Sequence, residues 1–106
     1  MDQLKRWYRN FNKRFFNGSL TDDVELFYGN CVRDMHWYAY TSDFDDKEGF
    51  EICIDKQFEN DETFAKILLL HEMIHIKTWK ARKCHGEEFE KEIIRLVKIG
   101  AYKGLL

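Results

Sequence analysis

Apolar residues recur at steps of three and four from the start of the chain. Leu4, Trp7, Phe11 and Phe15 fall on one stripe, which predicts a helix from about Asp2 to Asn17, ended by the Asn17-Gly18 pair. Its opposite face carries Lys5, Arg6, Arg9, Lys13 and Arg14. Three stretches then change character: Val24–Tyr28, His36–Thr41 and Phe50–Asp55 are rich in β-branched and aromatic residues and are separated by polar segments such as Ser42 to Gly49. They predict the strands of a small antiparallel or mixed sheet.

From Asp61 the helical period returns, with Asp61 or Thr63 as the cap. Phe64, Ile67, Leu68, Leu70, Ile74 and Trp79 cover much of this helix's circumference, so it is expected in the core. A basic loop, Lys80 to Lys83, leads to a last helix from about Gly86 to Ile99, with Phe89, Ile93, Leu96 and Val97 facing inward. Glu87, Glu88 and Glu90 in its first turn suit the positive end of the helix dipole. The expected order is α-β-β-β-α-α, a single α+β domain over residues 1–106.

Composition narrows the function classes. The 17 Lys plus Arg against 19 Asp plus Glu give a net charge of −2, so no whole-molecule field marks a general nucleic-acid or membrane binder. No apolar run approaches the ~20 residues that span a bilayer, and the polar, basic start has no signal-peptide core. The expectation is a soluble, intracellular protein. Cys31, Cys53 and Cys84 are an odd count without a C-x-x-C pair, which predicts three reduced thiols rather than a disulfide framework or a zinc ribbon.

Within the core helix stands His71-Glu72-Met73-Ile74-His75, an H-E-x-x-H pattern. Four residues at 100° each bring His75 to within about 40° of His71 and about 6 Å along the axis, so both imidazoles can reach one ion. Glu72, about 100° away, stands close enough to serve as the base on a water activated by that ion. Two histidines and a glutamate among Leu68, Leu69, Leu70, Ile74 and Ile76 would each face a desolvation cost of roughly a kcal/mol or more if unpaired.

A catalytic Zn2+ wants three protein ligands and an open fourth position. His85 is the foremost candidate for the third, because it follows a loop long enough to reverse the chain and Gly86 permits a tight backbone beside it. A carboxylate from the last helix, Glu88 or Glu92, is the competing choice, and Cys84 a lesser one.

These residues resemble the SprT-like zinc metallopeptidases, the Spartan-type proteases. The resemblance rests on Leu69-Leu70-His71-Glu72-Met73-Ile74-His75, on His85-Gly86-Glu87-Glu88-Phe89, similar to the family's H-G-x-x-F element, and on Phe11 to Leu20, similar to its F-N-x-x-F-F-x-G-x-L opening. It spans nearly the whole chain. It implies a zincin-like fold, zinc bound by His71, His75 and His85, and Glu72 as catalytic acid/base. The implied activity is zinc-dependent hydrolysis of peptide bonds, with DNA-associated or DNA-crosslinked proteins as substrates. Many SprT-like proteins continue into a cysteine-rich zinc ribbon or further DNA-binding segments. The 106 residues hold no such pairs, so the resemblance is to the bare catalytic module.

The resemblance also nominates His36–Thr41 as an edge strand that holds substrate by backbone pairing. His36, Tyr38, Tyr40 and Tyr102 are candidate oxyanion donors that the sequence cannot rank. Lys5, Arg6, Arg9, Lys13 and Arg14, interleaved with Trp7 and Tyr8, and a second group, Lys77, Lys80, Arg82 and Lys83, would follow a phosphate backbone if DNA binds. A solvated helix face that keeps the protein soluble is the favoured reading of the first group. The alternative function is a non-catalytic, zinc-containing nucleic-acid-binding or adaptor module, against which the intact Glu72 argues.

Overall fold

Helix α1, Gln3–Phe15, starts where the Asp2 carboxylate accepts the Leu4 N–H. The computed structural model describes residues 2–35, 37–44, 48–79 and 86–105. The chain reverses after α1 through Asn17 and Gly18, both at positive φ (55° and 69°). The Asn12 side chain then clamps the returning chain, donating to the Leu20 carbonyl (2.9 Å) and accepting the Leu20 N–H (3.0 Å). Phe11, Phe15, Phe16 and Leu20 are buried around this clamp, so the segment from Phe11 to Leu20 is a core-packing device.

The buried stripe of α1 is Leu4, Tyr8, Phe11 and Phe15, with Tyr8 in the place expected for Trp7. Tyr8 can bury its whole ring because its hydroxyl donates to the Thr21 carbonyl (2.6 Å), whereas Trp7 lies at the border under Lys66 Nζ.

Strands β1 (Val24–Gly29), β2 (Ala39–Asp43) and β3 (Phe50–Asp55) form a mixed sheet of order β1-β3-β2. β1 runs parallel to β3, and β2 antiparallel. β3 is central, and Ile52, Cys53 and Ile54 are buried, as expected of a strand covered on both faces. Gly49 leads into it at φ +120°, where a Cβ would come within 2.7 Å of the Asp23 carbonyl oxygen. β2 begins three residues later than the sequence pattern suggested, and His36 itself is outside the described residues.

The sequence pattern missed α2, Cys31–Met35. Its capping group comes from far along the chain: the buried Asp55 carboxylate accepts the Val32 N–H (2.9 Å) and, through its other oxygen, the Gln57 N–H (3.2 Å) and side chain (3.0 Å). The Val32 N–H holds the Asp55 carboxyl below the usual carboxylate range. α2 is also tied to the sheet by a Cys31–Cys53 disulfide across 22 residues, with Cα atoms 6.7 Å apart. This corrects the expectation of three reduced thiols. An odd count cannot reveal a pair that strand order brings together, and Cys84 lies outside the described residues.

A 3₁₀ turn, Lys56–Phe58, precedes α3, Glu62–Lys77, which is capped by Asp61 accepting the Phe64 N–H (3.2 Å). α3 packs across β2 and β3, and α1 and α4 (Glu87–Lys98) pack on it. Ala65, Leu69, Leu70, Met73, Ile74 and Ile76 put about half of its circumference in the core. On α4 Phe89 and Leu96 are buried, whereas Val97, expected inward, is 55% exposed. The described residues thus form an α+β fold of four helices and a three-stranded mixed sheet around one apolar core. None of their helices is long and apolar enough to cross a membrane.

Candidate metal centre

The middle of α3 brings His71, Glu72 and His75 together at the junction of α3, β2 and α4. The metal-binding atoms of all three lie within 4.8 Å of one another. The two imidazole centroids are 5.0 Å apart, a separation that one-turn spacing permits, and the rings cross at 73°. Phe89 from α4 packs on both, 5.0 Å from the His71 ring and 4.6 Å from the His75 ring. Phe89 is itself 1% exposed, so the core holds the face that limits rotation of the imidazoles.

Glu72 is 4% exposed. Its Oε1 accepts a hydrogen bond from Thr41 Oγ1 (2.8 Å), across 31 residues and from the edge strand. Burial pushes the Glu72 carboxyl up to about 7, and the Thr41 hydroxyl draws it partly back by favouring the charged form. A carboxyl that changes charge near neutrality is matched to taking up and returning a proton. Thr41 escaped the sequence reading because no local pattern distinguishes a strand threonine facing a helix from any other.

The same strand has a free side. Asp55 N–H donates to the Tyr38 carbonyl (2.8 Å) and Phe44 N–H to the Gly49 carbonyl (3.2 Å). In an antiparallel pair such bonds alternate, so the backbone groups of Tyr40 and Ser42 also point at β3, and those of Ala39, Thr41 and Asp43 point away from it. Among the described residues no strand pairs with β2 on that outer side.

The remaining candidates separate clearly. His85, the foremost third ligand, lies outside the described residues, as do Cys84, Lys80, Arg82 and Lys83. Glu88 lies near Lys91 (3.9 Å) and Glu92 hydrogen-bonds Arg95 (2.7 Å); neither gathers with the two imidazoles. The Tyr40 hydroxyl donates to Glu51 (3.1 Å) on the opposite sheet face from Thr41, and Tyr102 packs against the core.

On α1, Arg9 forms a two-pronged pair with Asp22 (3.0 Å for each bond), and Lys5 reaches Asp22 and the Val24 carbonyl. Arg6, Lys13 and Arg14 are exposed there, as is Lys77 on α3. Tyr8 is fully buried and unable to stack on a base.

No protein-family model matches the chain, and no curated protein matches it.

Proposed function

We propose that the chain is a zincin-like, zinc-dependent endopeptidase of the SprT-like kind. The observation that carries this reading is a buried carboxyl, held by the edge strand, immediately beside two imidazoles braced by one aromatic ring. The donor set fits Zn2+: two imidazole nitrogen ligands one helical turn apart, with a carboxylate between them in sequence. His71, His75 and His85 hold the ion, His85 on the strength of the resemblance. When bound, zinc supplies a Lewis acid for the scissile carbonyl and lowers the pKa of its water.

The protein's own groups do the rest. Glu72 takes the proton of the attacking water on a carboxylate oxygen and returns it to the leaving amine. The Thr41 hydroxyl keeps that carboxylate oriented while the proton is away. The outward backbone groups of Ala39, Thr41 and Asp43 receive the substrate as an added strand, which aligns a peptide bond with Glu72 and makes recognition depend mainly on backbone. Amide hydrolysis is therefore favoured over a binding-only role, in which a buried carboxyl at this position would serve no purpose. DNA-associated proteins are the substrates the resemblance implies, with Arg6, Lys13, Arg14 and Lys77 as the exposed cations available to a phosphate backbone.

The test is zinc quantification together with cleavage of a DNA-linked protein, with and without free DNA. The native chain should bind zinc and cleave; Glu72→Gln should keep the zinc and lose most of the cleavage. An equally active Glu72→Gln chain, or a chain that takes up no zinc, refutes the reading. DNA binding, where present, should weaken steeply with salt.

A further inference from the structure

The α3 stripe that carries the two imidazoles continues toward the start of the helix. At 100° per residue, Phe64, Leu68, His71 and His75 fall within about 60° of one another. Phe64 and Leu68 are only half-buried. Beside Phe64 lie Phe58 from the 3₁₀ turn, with ring centroids 4.6 Å apart, and Tyr38 from the approach to β2, 5.4 Å from Phe58 and 6.3 Å from Phe64. Both Tyr38 contacts are edge-on, and the ring remains 55% exposed. An aromatic side chain folded onto two others yet half open to water forms a shelf with room for one more apolar group.

The shelf is in line with the free side of β2. Tyr38 immediately precedes the strand, and its carbonyl bonds inward to Asp55, so the next outward-pointing backbone groups belong to Ala39. A strand laid along Ala39, Thr41 and Asp43 therefore runs from the metal centre toward the three rings. Phe64 lies seven residues before His71, about 10.5 Å along the helix axis, which an extended peptide at about 3.3 Å per residue covers in about three residues.

We propose that Tyr38, Phe58, Phe64 and Leu68 form a specificity subsite for a large apolar side chain of the substrate, about three residues from the bond that is cut. The assignment rests on the peptidase reading and adds to it a substrate class: extended polypeptide with Phe, Leu or a similar residue at that distance. Such segments are buried in folded proteins and come within reach when a protein is locally unfolded.

The experiment uses the full zinc-loaded chain and fluorogenic peptides with one fixed cleavable bond, carrying Phe, Leu, Gly or Asp three residues to either side of it. At one of the two positions kcat/KM should favour Phe and Leu over Gly by about tenfold, the effect of covering much of one apolar side chain. In Tyr38→Ser, an exposed position where folding is readily checked by circular dichroism, the ratio should fall to within about twofold, and Tyr38→Phe should restore it. A preference that persists in Tyr38→Ser, or cleavage of all the peptides by the native chain with no preference at either position, overturns the subsite.

Binding of the same peptides to the Glu72→Gln chain, read by fluorescence anisotropy, separates the two readings. No cleavage of any peptide with preferential binding of the Phe and Leu peptides means that the peptidase reading falls and the subsite stands. No binding preference means that the subsite falls whatever the cleavage result.

Discussion

Glu72 makes the zinc-free protein's stability depend on pH in an unusual direction. Its carboxyl has an ordinary value of 4.5 and titrates at about 7 in the folded chain, chiefly because burial penalises the charged form. Between these values the native state binds more protons than the unfolded state, so stability falls as pH rises. The loss begins near the ordinary value and is complete once pH passes the folded one. The difference of about 2.5 pKa units corresponds to about 3 kcal/mol, a large share of the roughly 5–15 kcal/mol expected for a domain of this size.

The assay is urea unfolding followed by tryptophan fluorescence, with a chelator present, at half-unit steps from pH 5 to 8. The native chain should lose stability across this range, and Glu72→Gln should not. The two proteins differ only at residue 72, so the difference between the two curves isolates Glu72 to first order. With an m-value of about 1–3 kcal/mol/M, the midpoints should move apart by about 1–3 M urea. Parallel curves for the two proteins over the whole range would refute the reasoning, since an exposed or fully paired carboxyl gives no such divergence.

Thr41→Val removes the hydroxyl that favours the charged carboxylate, so the acidic limb of the kcat/KM profile should move to higher pH; an unmoved limb would separate Thr41 from Glu72. Phe89→Ala should cost about 3–5 kcal/mol in thermal or urea unfolding and weaken zinc binding measured at a temperature where the variant is folded, because the ring supports both imidazoles. Reducing the Cys31–Cys53 disulfide, or replacing Cys31 by Ser, should lower stability by about 3 kcal/mol on loop-closure entropy, read as a lower urea midpoint in the presence of a dithiol. An identical midpoint with and without the dithiol would show that the link contributes nothing.

Much of this protein could be read from local pattern. The helical phase that aligns His71 with His75, the apolar circumference that buries α3, and the ranges of α1, β1, β3 and α4 all follow from residues within a few positions of one another. Such periodicity depends only on the repeat of the backbone. The placement of His85 at the centre still rests on resemblance.

Strand order decided the rest. Putting β3 between β1 and β2 brings Cys53 against Cys31 and Asp55 against the start of α2, and sets Thr41 on the carboxyl of Glu72. Among the described residues it also leaves the outer side of β2 unpaired with any strand. Packing in three dimensions chose Tyr8 over Trp7, placed Phe89 on both imidazoles and engaged Lys5 and Arg9 with Asp22. Most of these contacts join residues more than a dozen positions apart, where hydrophobic period and capping signals carry no information. The charge state of Glu72 is the clearest case: sequence supplies the carboxyl, and only burial by the assembled core moves its proton affinity toward neutrality.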